Sequence, residues 1–209
     1  TEYLFPDALD KMLYESNLWR DKRNRLDANL NFELNRPNLY VKNELKGTFD
    51  WVSTSSQTIF NDNSQNLNSS PNRQFVSDVL DIKLPISNDR YISIVSTNNY
   101  NYHPQELSLY SGEMQRLNYS SFYSNTTASF RHRLWRMYAN HQIGFQGMFQ
   151  SLKSTIGDVT SISKQRYERY MPYIGTGLQF DNRTIHMEAD IKMNLYNWQL
   201  EKHSINRKK

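Results

Sequence analysis

The chain has 209 residues, no cysteine, a formal net charge of +4 and a mean hydropathy of −0.81. The missing cysteine excludes disulfides, thiolate catalysis and cysteine-based zinc sites, and the basic residues form no long tract of the kind that binds nucleic acid. Only 37% of the residues are hydrophobic but 13% are aromatic, and a disordered protein usually lacks aromatic side chains.

The first predicted element is a hairpin of two long strands, 26–35 and 39–51, in which apolar and polar residues alternate. Such alternation places the two sets of side chains on opposite faces of a strand. Arg36-Pro37-Asn38 predicts the turn, because proline suits a turn and cannot continue a central strand. The polar face of this hairpin carries Glu33, Lys42 and Glu44.

Three further hairpins follow along the chain. Strands are predicted at 80–86 and 91–100, at 119–132 and 137–150, and at 174–180 and 184–195, with turns at 87–90, 133–136 and 181–183. The last strand has the clearest pattern, with an uncharged apolar face. The polar faces carry Tyr138, Asn140, Gln142, His186, Glu188, Asp190 and Lys192.

The length of these strands bears on the class of protein. The best alternating runs cover about 11 to 13 residues, whereas a strand of a soluble protein is typically about 5 to 6 residues long. A tilted strand needs about 9 to 11 residues to cross a bilayer. Short turns alternate with longer polar stretches at 53–73, 101–118 and 151–168, which are expected to be loops, and outer-membrane barrels have this asymmetry.

The sequence therefore predicts an all-β fold, an antiparallel up-and-down meander of about eight long strands that is part of a transmembrane β-barrel or forms a small one. The barrel strands are expected over 26–200, after a preceding barrel segment or loop at 1–25 and before a polar end at 201–209. Two alternatives stay open: a small self-closed barrel that acts as an anchor or adhesin, and a soluble β-sandwich that binds carbohydrate or protein.

Several segments resemble the middle of TonB-dependent receptor-like outer-membrane proteins of Bacteroidota. They are 17–21 (NLWRD), 26–35 (LDANLNFELN), 40–43 (YVKN), 103–107 (HPQEL), 143–146 (IGFQ), 150–152 (QSL) and 173–180 (YIGTGLQF). The resemblance implies a larger barrel of around 22 strands with a plug, located in the Gram-negative outer membrane. It also implies a role in nutrient uptake, in which the TonB system acts only through a parent protein because no plug domain is expected here.

The candidate site residues are the polar-face side chains, which are expected to face the lumen. They are Glu33, Lys42, Glu44, Tyr138, Asn140, Gln142, His186, Glu188, Asp190 and Lys192. Carboxylates on a lumen-facing strand are more often solvated charges than catalytic groups, so we expect no enzyme, no cofactor and no metal. His132 and His141 are able to approach each other across a hairpin, but this alone does not predict a metal site. The expected partners are outer-membrane lipid and a small ligand such as a sugar, a peptide or a chelate, with no nucleic acid.

Overall fold

The computed structural model describes residues 2–3, 13–60, 63–108, 114–157, 161–181 and 186–207, and its regular elements are all β-strands. Among these residues there is no helix long and apolar enough to cross a membrane. The strands are β1 Glu2–Tyr3, β2 Leu13–Arg36, β3 Leu39–Phe60, β4 Asn63–Pro71, β5 Arg73–Ser87, β6 Arg90–Ser108, β7 Met114–Leu134, β8 Met137–Ile156, β9 Ser161–Asp181, β10 His186–Asn194 and β11 Trp198–Arg207.

The strands form one antiparallel up-and-down sheet, which confirms the predicted fold class. From β2 to β9 neighbours along the chain pair with each other, apart from β4 and β5, which both lie between β3 and β6. Of these two, β5 pairs with the first half of β3 and β4 with its second half. In the same way β9 pairs with β10 near its end and with β11 near its start. The described strands include neither a second sheet, as a sandwich requires, nor a pairing of β2 with β10 or β11, as closure requires.

The predicted hairpin turns agree with the structure where they are described. Tight turns lie at Pro37–Asn38, Asn88–Asp89 and Trp135–Arg136. In the fourth hairpin Asp181 pairs with His186, and the connecting residues 182–185 lie outside the described part of the chain. Trp135 has a φ of 58°, a left-handed conformation that is uncommon for a bulky residue, and Arg133 Nε donates to its carbonyl oxygen at 3.1 Å.

The predicted loops were wrong over most of their length. The stretches 53–73, 101–118 and 151–168 consist mainly of strand, with only 61–62, 109–113 and 158–160 outside the described residues. The ladder continues because its hydrogen bonds belong to the backbone, and side chains that are polar on both faces can be tolerated beyond the apolar region. For 1–25, expected as a barrel segment or a loop, the described residues 13–25 are strand, and within the expected polar end the residues 201–207 are strand as well.

Apart from an irregularity between Pro85 and Ser87, the register assigns the paired side chains to one of two faces, because residues directly opposite each other in an antiparallel pair share a face. One row crosses the whole sheet and is apolar in every strand that it meets: Leu34, Val41, Ile82, Ile94, Ala128, Ile143, Ile174 and Met193. We call the side of the sheet that carries this row the apolar face, and the opposite side the polar face.

The apolar face has no core beneath it. Among the described residues only Ala139 and Tyr173 are buried hydrophobic side chains, whereas Ile143 is 61% exposed and Ile191 is 72% exposed. Soluble monomers rarely expose an apolar surface of this extent, which marks a site that contacts lipid or another protein. The described strands therefore form a single layer with one largely exposed apolar face.

Candidate functional site

The apolar face carries a band that begins at the short turns and ends at a row of aromatic residues. At this upper edge Tyr100, Phe122 and Phe149 lie side by side in β6, β7 and β8. Tyr170 and Trp198 continue the edge, with ring centroids 5.3 Å apart. Aromatic residues of this kind mark the boundary between lipid and water in membrane proteins, since they combine an apolar body with a polar tip.

Charge appears on the apolar face beyond this aromatic edge. Arg116 Nε lies 2.9 Å from Glu106 Oε1, and Arg166 forms an ion pair with Glu168. The first pair lies beyond the edge, whereas Glu168 lies opposite Phe149 at the edge and Arg166 lies just beyond it. All four residues belong to the extensions that the sequence predicted as loops. The apolar band is thus bounded at one end by turns and at the other by aromatic and then charged side chains.

One charged side chain interrupts the band. Among the described residues between the turns and the aromatic edge, Asp78 is the only carboxylate on the apolar face, between Val76 and Leu80. Asn43 Nδ2 donates to its Oδ1 at 2.7 Å, and Asn98 Nδ2 donates to its Oδ2 at 3.3 Å. Each oxygen of the carboxylate therefore has a donor from a neighbouring strand, which reduces the cost of its position.

The polar face collects all the predicted site residues. The register places Glu33, Lys42, Glu44, Tyr138, Asn140, Gln142, His186, Glu188, Asp190 and Lys192 on this one side of the sheet. Its charges are paired locally: Glu44 contacts Lys42 at 2.8 Å and Lys46 at 3.2 Å. That this side faces a lumen stays a prediction.

The predicted site residues form two groups that lie in different parts of the polar face. Glu33, Lys42 and Glu44 lie in the β2–β3 hairpin, whereas Tyr138, Asn140, Glu188 and Asp190 line a cavity of about 210 Å³ that extends from β6 to β10. The intervening strand β5 keeps the first group out of the cavity.

The cavity also contains residues that the sequence did not single out. Arg131 lies with its guanidinium 4.5 Å from the ring centroid of Tyr138 and 5.9 Å from that of Tyr91. The weak alternation of β7, with small residues on its apolar face, left Arg131 unassigned to a face. The arrangement joins a cation, two aromatic rings and the carboxylates of Glu188 and Asp190, so it suits a small polar ligand that hydrogen-bonds and stacks.

Glycines allow large side chains to lie flat against the sheet beside this cavity. A Cβ at Gly144 would lie 2.2 Å from Tyr173 Cζ, and one at Gly177 would lie 1.9 Å from Asp190 Oδ1. Tyr173 is 2% exposed, and the ammonium of Lys192 lies 3.6 Å from its ring centroid. Its hydroxyl bonds with Thr127 and donates to Asn125 Oδ1 at 3.3 Å. The glycines thus permit the close approach of Tyr173 and Asp190, as expected where a strand must admit a close neighbour.

His186 lies near two carboxylates, 3.9 Å from Asp181 and 4.0 Å from Glu188, both long distances for an ion pair. Within the described ranges no three His, Asp or Glu side chains are grouped so as to hold a metal ion. The expected absence of cofactor and catalysis stays a prediction.

Comparison with known proteins finds no family that matches this chain and no curated protein with significant sequence similarity.

Proposed function

We propose that this chain is a β-barrel segment of an outer-membrane transporter that resembles TonB-dependent receptors and takes up nutrients, with its apolar face toward lipid and its polar face toward the lumen. The observation that carries the proposal is the bounded apolar band across eight strands. A strand rises about 3.3 Å per residue, so 39–51 at a tilt of about 40° covers about 30 Å, close to the band of about 25 Å of such barrels.

The edges of the sheet support a larger barrel. The 24-residue β2 pairs on one side with β3 over almost its whole length, but on the other side only Leu13 and Tyr14 have described partners. A long open edge is a template for aggregation, and barrels remove it by closure. We infer that further strands of the same protein, or of its partner, pair with β2 and with β10 and β11. Uptake itself rests on the resemblance to the receptor family and on the cavity around Arg131, which suits a sugar, a peptide or a chelate.

The membrane orientation is tested by a matched pair of substitutions in β8. Ile143→Arg places a charge in the middle of the apolar band, whereas Gln146→Arg places one on the polar face of the same strand. An arginine at the bilayer midplane costs about 2 to 4 kcal/mol, so Ile143→Arg should lower the free energy of unfolding in lipid vesicles by that amount and Gln146→Arg by much less. Equal effects of the two changes would contradict the proposed orientation.

A simpler test compares the migration of boiled and unboiled protein on a gel after extraction with and without detergent. We expect folded protein only with detergent, and a heat-dependent shift in migration. A monodisperse product without detergent would reject the membrane class altogether. For uptake, the full-length parent carrying Arg131→Ala is compared with the parent carrying Arg116→Ala, which lies outside the cavity. Loss of uptake or ligand binding is expected in the first variant alone.

A further inference from the structure

Two histidines meet on the apolar face beside the β7–β8 turn. The register pairs His132 with Ala139 and His141 with Phe130, so the two imidazoles are diagonal neighbours on adjacent strands. Their Nε2 atoms lie 3.2 Å apart and their ring centroids 5.3 Å apart, which means that the rings meet through their Nε2 corners. The ring of Phe130 stacks on His132 with a centroid distance of 5.3 Å.

The surroundings of the two Nδ1 atoms determine which nitrogen carries a lone pair. His132 Nδ1 lies 3.4 Å from the carbonyl oxygen of Arg133, and because a carbonyl only accepts, this contact favours hydrogen on Nδ1. His141 Nδ1 lies 3.0 Å from Thr176 Oγ1, which can accept the same hydrogen. With both Nδ1 atoms protonated, both Nε2 lone pairs point into the same gap.

We propose that His132 and His141 form a two-ligand site for a divalent transition-metal ion: copper, nickel or zinc. Imidazole nitrogens bound at 2.0–2.1 Å to one tetrahedral ion lie about 3.3 Å apart, which fits the separation of the two Nε2 atoms. The carbonyl of Arg133 and the hydroxyl of Thr176 orient the rings, as outer hydrogen-bond partners of ligating histidines do. His141 is exposed and lies near the turn between the two strands, so solvent at that end of the face completes the coordination. Imidazole ligands favour these ions over magnesium and calcium.

The proposal does not depend on the membrane function, because it requires only the β7–β8 hairpin and its contact with β9. The competing arrangement is a direct hydrogen bond in which one Nε2 donates to the other and Thr176 donates to His141 Nδ1. In that arrangement one Nε2 carries a hydrogen, so the two Nε2 atoms cannot both bind an ion. Binding of metal therefore distinguishes the two.

The test measures binding of Cu²⁺ and of Zn²⁺ to the folded chain by calorimetry and by electron paramagnetic resonance of the copper form. His186→Asn serves as the background, because His186 lies near two carboxylates. We expect one copper ion per chain with a two-imidazole signal. Replacement of His132 or His141 by Asn should each lower the affinity about ten-fold or more. His203→Asn, whose Nε2 lies 3.3 Å from Ser163 Oγ, is the matched control and should leave it unchanged.

Absence of saturable copper binding overturns the proposal, and so does an unchanged affinity in either single variant. If an asparagine variant does not fold, modification of the native histidines by diethyl pyrocarbonate provides a second measurement. Zn²⁺ should then protect His132 and His141 while His203 stays reactive, and equal modification with and without Zn²⁺ rejects the site.

Discussion

Replacement of Gly144 by alanine tests whether the ring of Tyr173 packs directly against the backbone at Gly144 on the polar face. The new Cβ would lie 2.2 Å from Tyr173 Cζ and 2.4 Å from its hydroxyl oxygen, both far below van der Waals contact. Overpacking of a well-packed site costs about 1 to 3 kcal/mol. If the ring moves away, it also loses the Lys192 ammonium 3.6 Å from its centroid, a contact of about 0.5 to 2 kcal/mol. A loss of about 2 to 4 kcal/mol is therefore expected.

The assay is reversible urea unfolding in lipid vesicles or detergent, followed by tryptophan fluorescence. Gly147→Ala is the matched control, because its Cβ would lie 3.2 Å from Phe145 Cε1 and that residue is 43% exposed. In a Tyr173→Ala background the Gly144→Ala change should cost less than about 1 kcal/mol, since the clash is gone. A small effect of Gly144→Ala in the native chain, or the same effect in both backgrounds, would refute the described packing.

Three further changes probe other contacts. Asn72 lies between β4 and β5, and its side-chain oxygen accepts a hydrogen bond from Val52 N at 3.0 Å. Asn72→Ala removes this acceptor and should lower the free energy of unfolding in urea by about 1 kcal/mol. Asp78→Ala removes the acceptor of Asn43 Nδ2 in the apolar band and leaves Asn98 Nδ2 with only Ser96 Oγ, at 3.2 Å, so it should cost about 1 to 3 kcal/mol in the same assay. Burial, and secondly the charge of Arg73, lower the pKa of His103, so the folded state favours the neutral ring. The melting temperature should therefore show no loss from this group above the ordinary histidine pKa of about 6.5, and should decrease as the pH falls below it. His103→Gln should remove this decrease.

Each of these changes has an outcome that contradicts it. Asn66→Ala, at an exposed position of β4, should change the free energy of unfolding by less than about 0.5 kcal/mol. An equally small effect of Asn72→Ala would show that the hydrogen bond from Val52 does not stabilise the sheet. Joint replacement of Asn43, Asp78 and Asn98 by leucine and of Ser124 by alanine should recover stability in lipid, because the whole hydrogen-bonded set is then removed. For His103→Gln, a pH profile identical to that of the native chain would show that another group titrates.

The sequence pattern predicted the meander because apolar and polar residues alternate along a strand that has one apolar and one polar face. In β10 the alternation of Met187, Ile191 and Met193 with Glu188 and Asp190 assigned both faces correctly. The described turns at Pro37–Asn38 and Asn88–Asp89 also followed from local residues that favour turns. These features depend on neighbours within a few residues, so they can be read from one sequence.

The features that sequence reasoning missed depend on pairing between distant strands. The stretches at 53–60 and 63–71 were expected to be a loop because they are rich in serine and asparagine, yet each continues as strand by pairing with the other. Arg131 was missed because its strand has Thr126 and Ala128 where a clear apolar face would have larger residues. Arg131 and Glu188 line the same cavity only because β7 to β10 lie side by side.

Asp78 shows why the charge rule for a lipid-facing strand must be applied to the sheet and not to a single strand. Taken alone, a carboxylate between Val76 and Leu80 argues against an apolar band. In the sheet, however, Asn43 and Asn98 donate to its two oxygens, and Ser124 Oγ in turn donates to Asn98 Oδ1 at 2.7 Å. This chain of bonds links four neighbouring strands at one height, so the polar groups satisfy one another without water. Removing Asp78 alone is therefore expected to destabilise the band more than replacing the whole set. That order of stabilities is expected if the polar groups stabilise the sheet by bonding to one another. It is not expected if they form a binding surface for another molecule.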